Sequence, residues 1–263
     1  MTAPQPIKRQ VGDCAVSGFR AGSGEPLVYL HGAGGGGDWL PFMESLSQNF
    51  EVIAFNHPGF GESDDPAWLR GIDDLAYFYL ELIEDLGVDK AHIVGSSIGG
   101  WIALEMAIRS TERIATLSLS APAGIHVRGL PKADIFILPP DQFAYSLFHD
   151  KAMADVLVGR LQAQNEAEQA VAYKNRTTSA KVSWQPYLYN PRLRNWLQRV
   201  RVPTSLIWGR EDCVIPLGYA TAFQELLPNA SLTVIEECGH LPHLEKEGAF
   251  VGALVDFIDG ARS

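Results

Sequence analysis

Long apolar runs are missing from this chain. Nowhere in its 263 residues do 18 apolar positions follow one another, so no transmembrane helix is expected. Cysteine is scarce: Cys14, Cys213 and Cys238 form an odd, scattered set, which points to a reducing compartment rather than a disulfide framework. Neither C-x-x-C nor H-E-x-x-H spacing occurs, so no metal site is expected. The opening Met1-Thr2-Ala3-Pro4-Gln5-Pro6 has no apolar stretch and no cleavage site, which leaves no signal peptide and makes the cytoplasm the expected location. Positive charge is also short. A net charge of −10 supplies no basic field to displace counterions from phosphates, which excludes nucleic acid as a partner and argues against an anionic membrane surface. The glycine-rich Gly32 to Gly37 matches G-x-G-x-x-G, yet no Lys-Ser/Thr follows and no acidic residue stands about 20 positions on at a strand end. No nucleotide or other cofactor is therefore expected. The partner expected is a small-molecule substrate; oligomeric state stays open, a homo-oligomer included.

What is present is an alternation. Apolar residues make up 46% and charged residues 20%, the balance of a globular chain with a full core. After an opening pair of short strands within residues 1–24, Pro26–Leu30 reads as a buried strand breaking into His31-Gly32-Ala33-Gly34. A helix is expected from the N-cap residue Asp38 through Leu46, then a strand at Val52–Phe55 and an amphipathic helix from Ile72 to Leu86, stopped by Gly87. Strands follow at Ala91–Val94 and Ile114–Ser120 around a helix from Trp101 to Ile108. Strands alternating with helices predict a mostly parallel sheet covered on both faces. The rhythm stops at 123–200, which has helical spacing and no convincing strand. It resumes with a strand ending at Gly209, a helix at Tyr219–Leu227, a strand at Ser231–Ile235 and a helix from about Lys246 to Ile258.

One stretch carries chemistry: Val94-Gly95-Ser96-Ser97-Ile98-Gly99-Gly100, a serine framed by glycines at a strand-to-helix junction. Such a turn is sharp enough that side chains at 95 and 99 would collide, and its strain holds the serine hydroxyl at the sheet edge. Ser96 is a neighbour rather than a nucleophile, because Val94 stands two positions before it. Downstream, a strand ends in Gly209-Arg210-Glu211-Asp212, and the last strand leads to Cys238-Gly239-His240-Leu241-Pro242-His243.

The order serine, aspartate, histidine resembles that of the α/β-hydrolases across nearly the whole chain, and the turn Asn56 to Ser63 is similar to that family's loop after the fourth strand. The resemblance implies an α/β fold with a mostly parallel eight-stranded sheet, formed by 1–122 and 201–263, with 123–200 as a helical cap after strand six. It implies Ser97 as nucleophile, His240 as base and Asp212 as the acid that orients it. Glu211 is held in reserve as acid and His243 as base. The resemblance points to the backbone N–H groups of Ala33 and Ile98 as the oxyanion hole, with Gly34 next. His31 is expected to fix its loop, and Cys213 and Cys238 to be small buried apolar residues.

Three readings follow. The first is cofactor-free serine hydrolysis of a small carboxylic ester. The second is carbon–carbon bond hydrolysis of the meta-cleavage-product type: the Gly-rich loop after His31 resembles that subfamily, and Val158-Gly159-Arg160-Leu161 resembles its segment with a carboxylate-binding arginine. That subfamily usually has tryptophan where this chain has Leu241, a further candidate substrate contact. The third is a non-catalytic ligand receptor on the same fold. Epoxide hydrolases and haloalkane dehalogenases use aspartate where this chain has Ser97. Within 123–200 ten Lys and Arg outnumber six Asp and Glu, so a basic lid favouring a substrate carboxylate is one reading of its charge.

Overall fold

The computed structural model describes residues 3–262. Eight strands form one sheet: β1 (Gln5–Val11), β2 (Cys14–Ala21), β3 (Glu25–Leu30), β4 (Phe50–Phe55), β5 (Ala91–Ser96), β6 (Ile114–Ser120), β7 (Thr204–Gly209) and β8 (Ala230–Ile235). Their spatial order is β1-β2-β4-β3-β5-β6-β7-β8. β1 and β2 pair antiparallel with each other, as do β2 and β4, and every other pairing is parallel. The central strands show no period-two pattern because helices cover both faces; all six residues of β5 are buried.

Helices α2 (Ile72–Asp85), α3 (Ile98–Arg109) and α7 (Gly218–Leu226) lie on one face, packing Leu75, Tyr79, Ile102 and Phe223 against Val28, Leu30, Ile93 and Leu206. On the other face α1 (Pro41–Leu46) and α9 (Glu247–Arg262) set Phe42, Phe250, Leu254 and Ile258 against Leu27, Tyr29, Val52 and Ile207. The short α8 (Pro242–Glu245) precedes α9. Alternate residues of β3 therefore serve opposite cores. Gly87, at φ +67, ends α2 as the C′ glycine its position predicted.

The start of α1 differs from expectation. Its N-cap is Leu40 and Pro41 takes the first helical turn, where a missing N–H costs nothing. Asp38 caps no helix; its carboxylate pairs with Arg160.

Between β6 and β7 the chain leaves the sheet for α4 (Pro140–Leu147), α5 (Lys151–Gln162), α6 (Glu166–Ser183) and two short 3-10 turns. Asp150 and Asn165 cap α5 and α6 with their side chains. A parallel bridge between Gly124 and Tyr189 closes the two ends of the excursion on each other. Lys132 holds the same junction by donating from Nζ to the carbonyls of Ile125 (3.0 Å) and Leu188 (2.8 Å). Burial lowers its amine to about 8.

Winding runs outward in opposite directions from β3 and β5. The crevice beyond their carboxyl ends is thus the switch point where open α/β sheets place ligands.

Candidate active site

Ser97 follows β5 immediately and precedes α3, at φ 54 and ψ −113. Such a conformation costs about 1–3 kcal/mol for a residue with a side chain and persists only where neighbours enforce it. The enforcement here is visible. Ser97 N–H donates to Ser120 O at 2.9 Å, and Ser97 O accepts from Ala123 N at 3.0 Å and Trp101 N at 3.2 Å. A Cβ on Gly95 would stand 2.6 Å from Gly99 O, and one on Gly99 would stand 2.0 Å from Leu30 O. A third glycine belongs to the turn that the spacing did not single out: at Gly100 a Cβ would meet Pro122 Cβ at 2.7 Å.

Asp212 and His240 reach the same edge from the loops after β7 and β8. Gly209 permits this, since a Cβ there would lie 2.0 Å from Gly239 O and 2.3 Å from Cys238 O. His240 Nδ1 donates to Asp212 Oδ2 at 2.8 Å, with side chains 3% and 0% exposed. The other oxygen, Oδ1, accepts the N–H groups of Val214 and Ile215, each at 2.8 Å. A carboxylate is acceptor-only, so it fixes the proton on Nδ1 and leaves the Nε2 lone pair free. Among the described residues no hydrogen bond joins Ser97 Oγ to the imidazole, a contact that often tightens only with substrate bound.

The loop after β3 lies against the serine: a Cβ on Gly32 would stand 3.5 Å from Ser97 Cβ. Among the described residues the N–H groups of Ala33 and Gly34 have no hydrogen-bond partner. Ile98 is the first residue of α3, where an N–H has no intrahelical acceptor.

A family model described as alpha/beta hydrolase fold matches residues 25–247. The chain belongs to that family. It is 31% identical over 262 residues to the dihydrolipoyllysine-residue acetyltransferase component of the acetoin cleaving system of Pseudomonas putida, over 92% of this chain but only 66% of that relative's length. It is 30% identical over 274 residues to the 2-hydroxy-6-oxo-6-phenylhexa-2,4-dienoate hydrolase of Burkholderia cepacia, over 94% of each. Among solved structures it resembles the 2-hydroxy-6-oxo-6-phenylhexa-2,4-dienoate hydrolase from Rhodococcus sp. strain RHA1. There the TM-score is 0.78 at 25% identity, over 98% of this chain and 100% of that one.

In this α/β hydrolase the reserve residues have other employment. Glu211 accepts the Cys238 N–H at 2.9 Å, and its own N–H donates to Cys238 O at 2.9 Å, so it staples the two loops together. His243 is buried among Tyr29, Phe42 and Phe250, and burial lowers its imidazole to about 3. Cys238 is buried as expected, and burial raises its thiol to about 12. Cys213 is exposed, contrary to expectation: the turn that aims Asp212 inward sends its neighbour to solvent.

His31 fixes its loop, donating from Nδ1 to Gly32 O at 2.7 Å while Nε2 accepts the His57 N–H at 3.0 Å. His57 stacks on it with ring centroids 3.5 Å apart, and donates from Nε2 to His31 O while Tyr79 O–H donates to Nδ1. Burial holds both rings neutral, His31 at about 4 and His57 well below the ordinary imidazole range. Sequence reading missed this pair, because His57 lies 26 residues from its partner. It also missed Glu105, buried on α3, which accepts from Trp101 Nε1, Asn190 Nδ2 and Arg109 and so ties the end of the excursion to the helix behind Ser97.

The candidate substrate contacts are placed differently. Arg160 lies on the surface in an ion pair with Asp38 at 2.8 Å. Leu241 is half-buried, packed against the main core just before α8. Gly34 sits in the loop beside Ser97.

Proposed function

We propose that this chain is a cofactor-free serine hydrolase acting on a small carboxylic ester or related acyl compound. Ser97 Oγ attacks the acyl carbonyl while His240 Nε2 takes its proton. The charge that develops on the carbonyl oxygen falls against the N–H groups of Ala33 and Ile98, where each donor is worth about 3–4 kcal/mol in the barrier. Collapse expels the alcohol, which receives the proton from His240 and leaves an acyl ester on Ser97. Water, deprotonated by the same imidazole, then frees the acid. The observation that carries this reading is the buried Asp212–His240 bond. It presents a basic Nε2 at the sheet edge that also holds a serine in an enforced positive-φ turn.

Residues 123–200 act in this reading as a cap over the core. Its basic side chains serve attachment to an acidic core more than capture of a substrate anion: Arg160 meets Asp38, Lys181 meets Asp65 at 2.5 Å, and Lys174 Nζ donates to Gly61 O and Ser63 O. The test is hydrolysis of short-chain p-nitrophenyl esters. Wild type turns them over and Ser97→Ala does not; activity in that variant defeats the assignment.

A second reading is favoured by the names of the Burkholderia cepacia and Rhodococcus relatives, which would make the scissile bond carbon–carbon. The leading reading is preferred because Arg160 is engaged by Asp38 on the surface and Leu241 replaces an aromatic ring. Turnover of a 2-hydroxy-6-oxo-dienoate that is lost in Arg160→Ala would reverse that preference.

A further inference from the structure

The glycines from 32 to 37 bind no nucleotide in the reading above, and of this loop the oxyanion hole takes only the Ala33 N–H, with that of Gly34 next. The rest of the loop has a different neighbour. Three successive carbonyls of this loop each accept a side-chain donor. Gly32 O accepts from His31 Nδ1 at 2.7 Å, Ala33 O from Ser179 Oγ at 2.8 Å, and Gly34 O from Asn175 Nδ2 at 3.0 Å. A trans peptide unit is planar with C=O and N–H opposed, so fixing one carbonyl aims the next residue's N–H. The three pins therefore set the directions of the Ala33, Gly34 and Gly35 N–H groups, and two of the three come from α6.

The helix is built to do this. Lys174, Asn175, Thr178 and Ser179 recur at the spacing of one helical face. All four side chains bond to the carboxyl-end loops of β3 and β4: besides the pins, Asn175 Oδ1 accepts the Gly61 N–H at 2.8 Å and Thr178 Oγ1 donates to Gly59 O at 2.7 Å. Asn175, Thr178 and Ser179 are buried although hydrophilic. Glycine makes the approach possible. A Cβ on Gly35, at φ +99, would stand 2.3 Å from Asn175 Nδ2, and one on Gly59, at φ +84, would stand 2.6 Å from Thr178 Cγ2.

We infer that Ser179 and Asn175 are positioning residues for the oxyanion hole, so that the loop is competent only while α6 is docked on it. Ser179, through the Ala33 carbonyl, aims the Gly34 N–H, the donor next to Ala33. Asn175, through the Gly34 carbonyl, aims the Gly35 N–H, which donates to Gly32 O at 3.2 Å and so holds the peptide that carries the Ala33 N–H. This rests on the serine-hydrolase reading. It makes α6 a fixed template for the site, and it accounts for buried polar residues that line one face of an otherwise polar helix.

The experiment compares Ser179→Ala, Asn175→Ala, Ser179→Thr, Ser97→Ala and, as a control on α6, Thr177→Val, whose hydroxyl bonds only to its own helix. Each is assayed for kcat and KM on a p-nitrophenyl ester. Each is also assayed for inhibition by a trifluoromethyl ketone, which forms a tetrahedral oxyanion adduct, and for folding by circular dichroism. Removing one oxyanion donor outright costs about 100- to 1,000-fold, so misaiming one is expected to lower kcat about 10-fold or more. KM should move less than about twofold, since substrate binding outside the oxyanion hole is untouched. The ketone should weaken by the same factor as kcat/KM. Ser179→Thr, which keeps a hydroxyl, should recover most of the rate, and Thr177→Val should match wild type. Either alanine variant carries the test if the other fails to fold. If Ser97→Ala is inactive while the folded alanine variants keep wild-type kcat and ketone affinity, the inference is overturned and the serine-hydrolase reading survives. If Ser97→Ala stays active, the underlying reading is the one that fails.

Discussion

Mild acid should destabilise this protein, and the buried histidines set the slope. His31, His57 and His243 are buried, and burial depresses all three imidazoles, His31 to about 4 and His243 to about 3. The unfolded chain takes a proton on each below pH about 6.5, whereas the folded chain does not until its own lower value is reached. The folded pKa values are depressed, so the stabilisation is complete above pH about 6.5 and is lost as pH falls toward the folded values. In that window each neutral histidine costs about 1.4 kcal/mol of stability per pH unit, independent of how far below the window its folded value lies. From pH 6.5 to 5 the integrated loss is about 1.6 kcal/mol per histidine and about 5 kcal/mol for three, at the lower end of a whole domain's typical stability of about 5–15 kcal/mol. The carboxylates whose values are lowered, Glu25 and Glu236, start from 4.5 and act mainly below this window. Urea unfolding followed at pH 7.5, 6.5, 6.0, 5.5 and 5.0 measures the slope. His243→Phe should remove about a third of it; at pH 7.5 the variant also takes away the Nε2 partner of the buried Tyr29 hydroxyl, at 3.5 Å, so the slope and not the stability at pH 7.5 is the readout. A stability flat between pH 6.5 and 5, or a His243→Phe slope equal to that of wild type, would mean that the buried histidines do not resist protonation in the folded chain.

Two further perturbations separate packing from chemistry. Gly99→Ala puts a methyl 2.0 Å from Leu30 O and 2.6 Å from His31 O, both backbone, so a loss of about 1–3 kcal/mol is expected by thermal or urea unfolding; an unchanged midpoint would mean the approach is looser than described. Asp212→Asn keeps the shape but favours the wrong imidazole tautomer, so kcat should fall about 10,000-fold with the fold intact by circular dichroism. Glu211→Gln should instead lower stability with far less effect on kcat, and the reverse pattern would exchange their roles.

Much of this was legible because steric demand leaves a local signature. Gly95 and Gly99 are needed by backbone only a few residues away or at the neighbouring strand end, and the spacing around Ser97 announces it. The alternation of strands and helices likewise follows from short-range periodicity, and β6 was found at its true bounds. The misreadings share a cause. Asp38 looks like an N-cap until Pro41 claims the start of α1 and Arg160, 122 residues away, claims the carboxylate. Gly35 looks like a spare member of a glycine run, because its reason is Asn175, which no local pattern connects to it. Asp212 and Glu211 are equivalent as letters; only the arrangement of the two loops gives one to His240 and the other to the Cys238 N–H. Cys213 was misplaced for the same reason, since the turn that buries one residue exposes the next.

In the proposed reaction Ser97 carries the covalent step. Treating the protein with a fluorophosphonate and mapping the adduct by peptide mass spectrometry tests it in one measurement. A single phosphonyl group is expected on the peptide containing Ser97, and no adduct in Ser97→Ala. An adduct on another residue, or none on wild type while esters are still hydrolysed, would contradict it.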